Sequence, residues 1–299
     1  GCRFVVSDFS AIEARVIAWL ADEQWTLDAF RAGEDIYCRT ASMMYHVPVE
    51  KHGQNADLRQ RGKVAVLACG YQGGVGAMKA MDKSGTIPEE ELQSVVDQWR
   101  QANPHVVKFW HTCELAAKTA ITEHRTVKIR HGIEFRYQGR NLLIRLPSGR
   151  SLCYWQARIR QNSQGREELV YMGVNQTTKQ WQETETYGGK LVENIVQATA
   201  RDCLAVAMRR VADMGYQIVM HVHDEMIVDV PKSDTDALER INARQNAANL
   251  FTNIGPADIA AELGRRKRPG QVLVAFAAET DDVLDNARGK LDRKNADLV

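Results

Sequence analysis

The apolar residues change their period once, at Gly215, and that change constrains the chain more than any other feature. From 191 to 214 they recur at helical spacing, a strong amphipathic pattern that stops at a glycine suited to the position after a helix. Two strand-like runs follow, Gln217–Val222 and Met226–Val230. Ile218, Met220 and Val222 are expected on one face of the first run, and Met226, Val228 and Val230 on one face of the second. His223-Asp224-Glu225 lies between them, placed like the tip of a hairpin. The pattern thus reads as a helix followed by a hairpin with two carboxylates at its tip.

The other end of the chain offers a partner for that turn. Arg3–Ser7 reads as a short buried strand that delivers Asp8, and Ile12–Leu20 follows at helical spacing with Ser10 as N-cap. Strands far apart in sequence can meet in one sheet and present Asp8, Asp224 and Glu225 at one edge. Such oxygens suit Mg²⁺, which keeps waters and takes few protein carboxylates. Taken alone, an Asp-Glu pair at a hairpin tip is more often a plain turn. Between the two ends, residues 28–120 are mostly helical in pattern, with breaks at Gly33, Pro48, Gly53, the glycines of 70–76, Gly85–Pro88 and Asn103–Pro104.

Arg59, Lys63, Leu67 and Tyr71 step by four and so share one face of a helix. Two cations one turn apart can clamp a polyphosphate, and a tyrosine beyond them offers a flat surface to a base. A solvated basic helix edge fits the same spacing. Residues 121–160 hold nine Lys/Arg against two Glu, a surplus that resembles a phosphate-contact surface. His221 and His223 form an H-x-H pair, but without a third ligand nearby zinc is not expected. The six cysteines include no CxxC pair, which excludes zinc ribbons and thioredoxin chemistry. With no apolar run near the ~20 residues of a membrane span, a cytoplasmic protein with free thiols is expected.

In this order the blocks resemble motifs A, B and C of the family A DNA polymerases, in a phage-like form. Asp8-Phe9-Ser10-Ala11-Ile12-Glu13-Ala14-Arg15 is similar to D-Y-S-x-I-E-x-R, the Arg59–Lys63–Tyr71 spacing to R-x3-K-x7-Y, and Val222-His223-Asp224-Glu225 to V-H-D-E. The segment 34–41 and the helix with Gln197 and Asp202 also resemble family segments. The resemblance implies an α+β fold: a helical fingers domain (26–124) inserted in an incomplete palm (1–25 and 125–241) with an antiparallel sheet, then a linker (242–255) and a short α/β tail (256–299). It implies DNA synthesis by nucleotidyl transfer from a dNTP to a primer 3′-hydroxyl with two Mg²⁺ ions. Asp8, Asp224 and the Phe9 carbonyl would hold the metals, with Glu225 close by. Arg59 and Lys63 would bind the triphosphate, and Lys63 would also protonate the leaving group. Glu13, Leu67, Tyr37 and Tyr71 would line the nucleotide site, with Glu13 excluding a 2′-hydroxyl. His223, Gln197 and Arg15 would contact DNA.

Primer-template DNA and dNTPs would be the partners, with no membrane. The family places a thumb, part of the palm and often an exonuclease domain before motif A; none precedes Asp8 here, and the sequence leaves open whether a separate N-terminal part supplies them. Several positions depart from the family. Leu67 stands for an aromatic ring, Tyr37 for a histidine, Glu193 for an asparagine and Gly189 for an arginine. Residues 256–299 resemble instead a fragment of phosphopantothenate–cysteine ligase, through Pro256-x-Asp258-Ile259, Val272–Thr280 and the Lys290 region.

Overall fold

The computed structural model describes residues 1–83, 85–175 and 178–245. Strand β1 (Cys2–Asp8) leads into α1 (Ile12–Ala21), α2 (Gln24–Arg31), α3 (Ile36–Tyr45), α4 (Leu58–Cys69), α5 (Val75–Met81), α6 (Leu92–Ala102) and α7 (Pro104–Glu123). Then come β2 (Val127–Lys128), β3 (Glu134–Gln138), β4 (Asn141–Arg145), β5 (Ser151–Gln161), β6 (Glu167–Val174) and β7 (Trp181–Thr186). The chain continues through α8 (Gly188–Asp213), β8 (Gln217–Val222), β9 (Glu225–Pro231) and α9 (Ala237–Gln245). This is the mixed helical and antiparallel-sheet class that the family resemblance implies. The tail at 256–299 and most of the expected linker lie outside the described residues.

Contacts divide the described residues into two compact units, one of residues 1–9, 145–153 and 201–245, the other drawn from 10–144 and 154–200. The first unit is built on an antiparallel sheet in the order β1-β9-β8. Its register pairs Cys2 with Pro231, Val5 with Val228 and Asp8 with Glu225. Val5, Ser7, Met226, Val228 and Val230 are buried on one face, where the Ser7 hydroxyl donates to Asn242 of α9 at 2.6 Å. Phe4 and Val6 point the other way and are 69% and 49% exposed, so β1 is a one-sided strand and not the fully buried one expected.

Strand β8 also departs from simple alternation. Its register slips between Ile218 and Met220, so Ile218 pairs with Val228 while Met220 pairs with Ile227. A bulge shifts every later side chain by one face. Ile218 therefore does not share a face with Met220 and Val222, which are exposed. Upstream, α8 ends where the sequence predicts, with Gly215 at φ 87° and its N–H donating to Ala212 O at 2.9 Å.

A buried carboxylate fastens the Pro147–Gly149 turn in this unit. Asp202, 3% exposed, accepts the Ser148 hydroxyl at 2.5 Å and the Arg150 Nε at 2.9 Å. Removing it strands a buried hydroxyl and half of an ion pair. Asp202→Ala should cost about 3 kcal/mol of stability, read from urea denaturation midpoints, whereas the exposed Glu90→Ala should change them by less than about 0.5 kcal/mol.

In the second unit the helices pack around Trp99 and Trp110, whose rings stack with centroids 6.1 Å apart. Trp110 donates its indole N–H to Gly70 O at 2.9 Å. Glu23, 3% exposed, accepts the His105 and Val106 amides and so caps the start of α7. Helix α1 begins without the expected Ser10 cap: Ala11 fills that position in the left-handed region at φ 51°, and the Ser10 carbonyl accepts Arg15 Nε instead.

The sheet order β2-β3-β4-β5-β6-β7 carries most of the basic stretch. Its charge is largely answered by acids from elsewhere in the chain. Arg160 meets Glu168, Glu183 and Glu185, Arg158 meets Glu183, Arg130 meets Asp22, and Arg150 meets Asp202. Lys128 and Arg125 pair with Glu134 and Glu123. The surplus counted along 121–160 is thus much reduced in the fold, because β6 and β7 bring their glutamates beside β5.

Candidate active site

In the first unit, Asp8 ends β1 and Glu225 begins β9 directly opposite it. Asp224 sits beside them in the turn with His223. Val222 pairs with Glu225, so only two residues turn the hairpin. Such a turn demands a positive φ at its first central position, and His223 supplies it at φ 50°. A non-glycine residue there costs roughly 1 kcal/mol, a strain held at the tip of the site.

Three carboxylates therefore meet at one end of the sheet. Burial pushes the Asp8 carboxyl up, the charges of Asp224 and Glu225 push it further, and a hydrogen bond with Asp224 adds to this, against the Phe9 amide pulling it down. Among the described residues, no Lys or Arg forms an ion pair with any of the three. No group of three or more His, Cys, Asp or Glu is arranged to cage a metal among those residues either. Carboxylate oxygens are hard donors of the kind Mg²⁺ takes in small number, alongside waters and phosphate oxygens. His221 is directed elsewhere: its ring nitrogens lie 3.1 and 3.3 Å from the Arg201 guanidinium. Burial and that charge both lower the imidazole pKa, so it stays neutral at pH 7.

The second unit holds the cations and rings. Asp35 caps α3 with Oδ1, accepting the Tyr37 and Cys38 amides, and Oδ2 accepts Arg59 Nε and Nη2 at 3.0 and 2.8 Å. Burial raises the Asp35 carboxyl, but Arg59 and the two amides outweigh it and hold it below the usual range. The Arg59 guanidinium lies 5.3 Å from the centre of the Tyr37 ring. Lys63, one turn further on α4 and half-buried, has no ionic partner among the described residues. Leu67 follows on the same helix.

Tyr71 does not continue that helix, contrary to the spacing argument. Helix α4 stops at Cys69 with Gly70 as its C-cap, and Tyr71 stands in the turn that follows. The glycines at 70, 73 and 74 disfavour another helical turn. The turn nevertheless brings the Tyr71 hydroxyl to Glu13 Oε2 at 3.4 Å, while Gln197 Nε2 donates to Glu13 Oε1 at 2.5 Å. Burial, then the charges of Glu13 and Glu193, push the Tyr71 phenol well up. Arg15 lies over the Phe30 ring at 4.1 Å.

Sequence reasoning missed Asp35, Gln72 and the purpose of Gly189. A Cβ at Gly189 would come within 2.2 Å of Tyr71 O and 2.5 Å of Gln72 Cβ, and the Gly189 N–H donates to Gln72 Oε1 at 2.9 Å. Only glycine lets the first turn of α8 abut the Tyr71–Gln72 turn. The one signal in the sequence was the departure from the family arginine.

The model of DNA polymerase family A matches residues 1–251. The chain belongs to DNA polymerase family A. The DNA polymerase of Bacillus phage SP02 is 50% identical over 245 residues, covering 81% of this chain and 38% of that protein. The chain therefore spans less than half the length of that relative. Among solved structures, the polymerase domain of Pol1 from M. smegmatis, in complex with DNA primer-template and dNTP, aligns with a TM-score of 0.50 at 20% identity. That alignment covers 85% of this chain and 37% of the other, and it shows the fold alone. A cysteine/cysteine sulfinic acid decarboxylase from an unknown prokaryotic organism is 47% identical over 57 residues, 19% of this chain and 16% of that protein. Among the described residues, no helix is long and apolar enough to cross a membrane.

Proposed function

We propose that this chain carries the nucleotidyl-transfer centre of a DNA polymerase, adding deoxynucleotides to a primer 3′-hydroxyl on a DNA template. The observation that carries the reading is the meeting of Asp8, Asp224 and Glu225 at the ends of β1 and β9, with no Lys or Arg paired to them among the described residues. Family membership and the phage relative support the substrate class. Asp8, Asp224 and the Phe9 carbonyl would hold magnesium. Two such ions, when bound, would supply Lewis-acid activation of the hydroxyl and neutralisation of the triphosphate. The three-stranded sheet would be the palm core and the helices of 26–124 the fingers.

The side chains then divide the work. Lys63, the cation of α4 with no acid partner among the described residues, would meet the triphosphate and protonate the departing pyrophosphate. Arg59 would assist at the phosphates once released from Asp35. Glu13, fixed by Tyr71 and Gln197, would occupy the space of a ribose 2′-hydroxyl. Tyr37, Leu67 and Tyr71 would line the nucleotide, and His223, Gln197 and Arg15 the DNA.

Primer extension with Mg²⁺ and the four dNTPs tests the reading, on the chain alone and joined to the N-terminal region of the SP02 relative. Template-dependent extension by either form is expected. Duplex binding without extension in both would identify a DNA-binding remnant instead. Lys63→Ala should weaken dNTP binding about tenfold, the loss of ~1.4 kcal/mol, in a fluorescence titration. Glu13→Ala should admit ribonucleotides in the same extension assay, and unchanged exclusion would place the gate on another residue.

A further inference from the structure

The helical unit contains a cavity of about 340 Å³ that the polymerase reading does not use. Helix α7 contributes His105, Lys108, Phe109 and Thr112, which recur along one face, and Ile129 and Arg130 line it from the segment after β2. Ala21, Phe109 and Ile129 form its apolar wall, with Phe109 buried and Ile129 half-buried, while His105 and Thr112 are polar members of the lining. Lys108 and Arg130 are exposed and hold their charges at the rim.

Those charges are available to a ligand. Lys108 has no ionic partner among the described residues. Arg130 donates to the Ala21 carbonyl and to Asp22, but Asp22 is shared with the His131 ring at 2.9 Å, and the guanidinium keeps further donors. The Thr112 hydroxyl donates to Lys108 O at 2.8 Å and leaves its lone pairs free to accept.

We propose that this cavity binds one nucleotide unit, with the base in the recess of Phe109 and Ile129 and the phosphate on Lys108 and Arg130. A cationic rim disfavours metal ions and basic peptides. A recess with an apolar wall gives a bare inorganic anion nothing to fill. The volume lies at the lower end of small-molecule sites, about 300–1,000 Å³, which suits one ring system and its phosphate. Cations beside an apolar wall are also how single strands are held. The nucleotide is either free or part of a single strand, since both present the same groups. The cavity shares no residue with Glu13, Arg59, Lys63 or Tyr71, so the inference does not depend on the function proposed above.

Photo-crosslinking distinguishes the outcomes. The chain is irradiated with a 4-thiothymidine-containing oligothymidylate, and separately with 4-thiothymidine monophosphate, and crosslinked peptides are mapped by mass spectrometry. Saturable crosslinks are expected in the peptides carrying 105–112 or 129–130. They should fall roughly tenfold in Lys108→Glu, the effect of losing ~1.4 kcal/mol, with the melting temperature unchanged because Lys108 is exposed. Crosslinking by the oligonucleotide alone assigns the site to single strands, and crosslinking by both probes assigns it to nucleotides in general. No crosslink in these peptides at saturating probe, or one that survives Lys108→Glu undiminished, overturns the proposal.

Discussion

Asp224→Asn should reduce nucleotidyl transfer by about 10²–10³-fold, the scale on which loss of one preorganised charge-stabilising group acts. The same change should remove most Mn²⁺ binding, followed by electron paramagnetic resonance. A metal ion at this end of the sheet must be held by few protein oxygens, so losing one carboxylate removes a large share of the attraction. Asn keeps the shape and only the charge goes. The ion-free protein should respond in the opposite sense. The Asp8 carboxyl is raised in the fold, so its contribution to stability is fully present below its unfolded value of 3.8 and is lost as pH rises through the folded one. At pH 7 the cluster repels itself, and Asp224→Asn should therefore raise the melting temperature of the metal-free chain. That gain should shrink toward pH 4, and Mg²⁺ should stabilise the parent but not the variant. A variant that binds Mn²⁺ as tightly as the parent would remove the metal assignment while leaving the fold intact.

Gly62→Ala should destabilise the helical unit by about 3 kcal/mol, at the upper end for forcing a methyl into a packed interior. In an open helix the same change would stabilise by about 1 kcal/mol, because glycine is the poorer helix former. The sign is reversed here by what the methyl meets. A Cβ at 62 would lie 2.2 Å from Tyr37 O and 3.0 Å from Ala41 Cβ, and a backbone carbonyl cannot rotate aside. Helices α3 and α4 must separate, and the Arg59–Asp35 pair that joins them must lengthen. Calorimetry should show the transition falling by roughly 10 °C, since 1 kcal/mol corresponds to about 2–4 °C at this size. An unchanged or raised transition would mean that the two helices are less closely packed than this.

What the sequence made legible was whatever local spacing controls. Helix α8, the Gly215 stop, the hairpin and the carboxylates at its tip all follow from period and turn chemistry within one continuous stretch, Gly188 to Pro231. The convergence of Asp8 was an inference about sheet edges that two strand-like runs already suggested. Features set by distant partners stayed hidden. The bulge after Ile218 leaves no mark in an alternating pattern. The neutralisation of Arg158 and Arg160 depends on β6 and β7 lying beside β5, which no count along 121–160 can show. A step of four carried Tyr71 onto a helix that ends two residues before it, because periodicity has no term for the glycines that follow.

Asp35 serves two masters with one carboxylate. Its Oδ1 closes the first turn of α3 and its Oδ2 restrains the Arg59 side chain. Any phosphate that recruits Arg59 therefore has to win it from an incumbent, and the affinity observed is a difference between two anions. Acid shifts the contest. Because the Asp35 carboxyl is depressed in the fold, its stabilising contribution is present above its unfolded value of 3.8 and lost as pH falls through the folded one, and with it goes the hold on Arg59. The start of α3 and the freedom of a cation on α4 are thus coupled variables, so the exchange rates of the Tyr37 and Cys38 amides, measured with and without nucleotide, should report where Arg59 is bound.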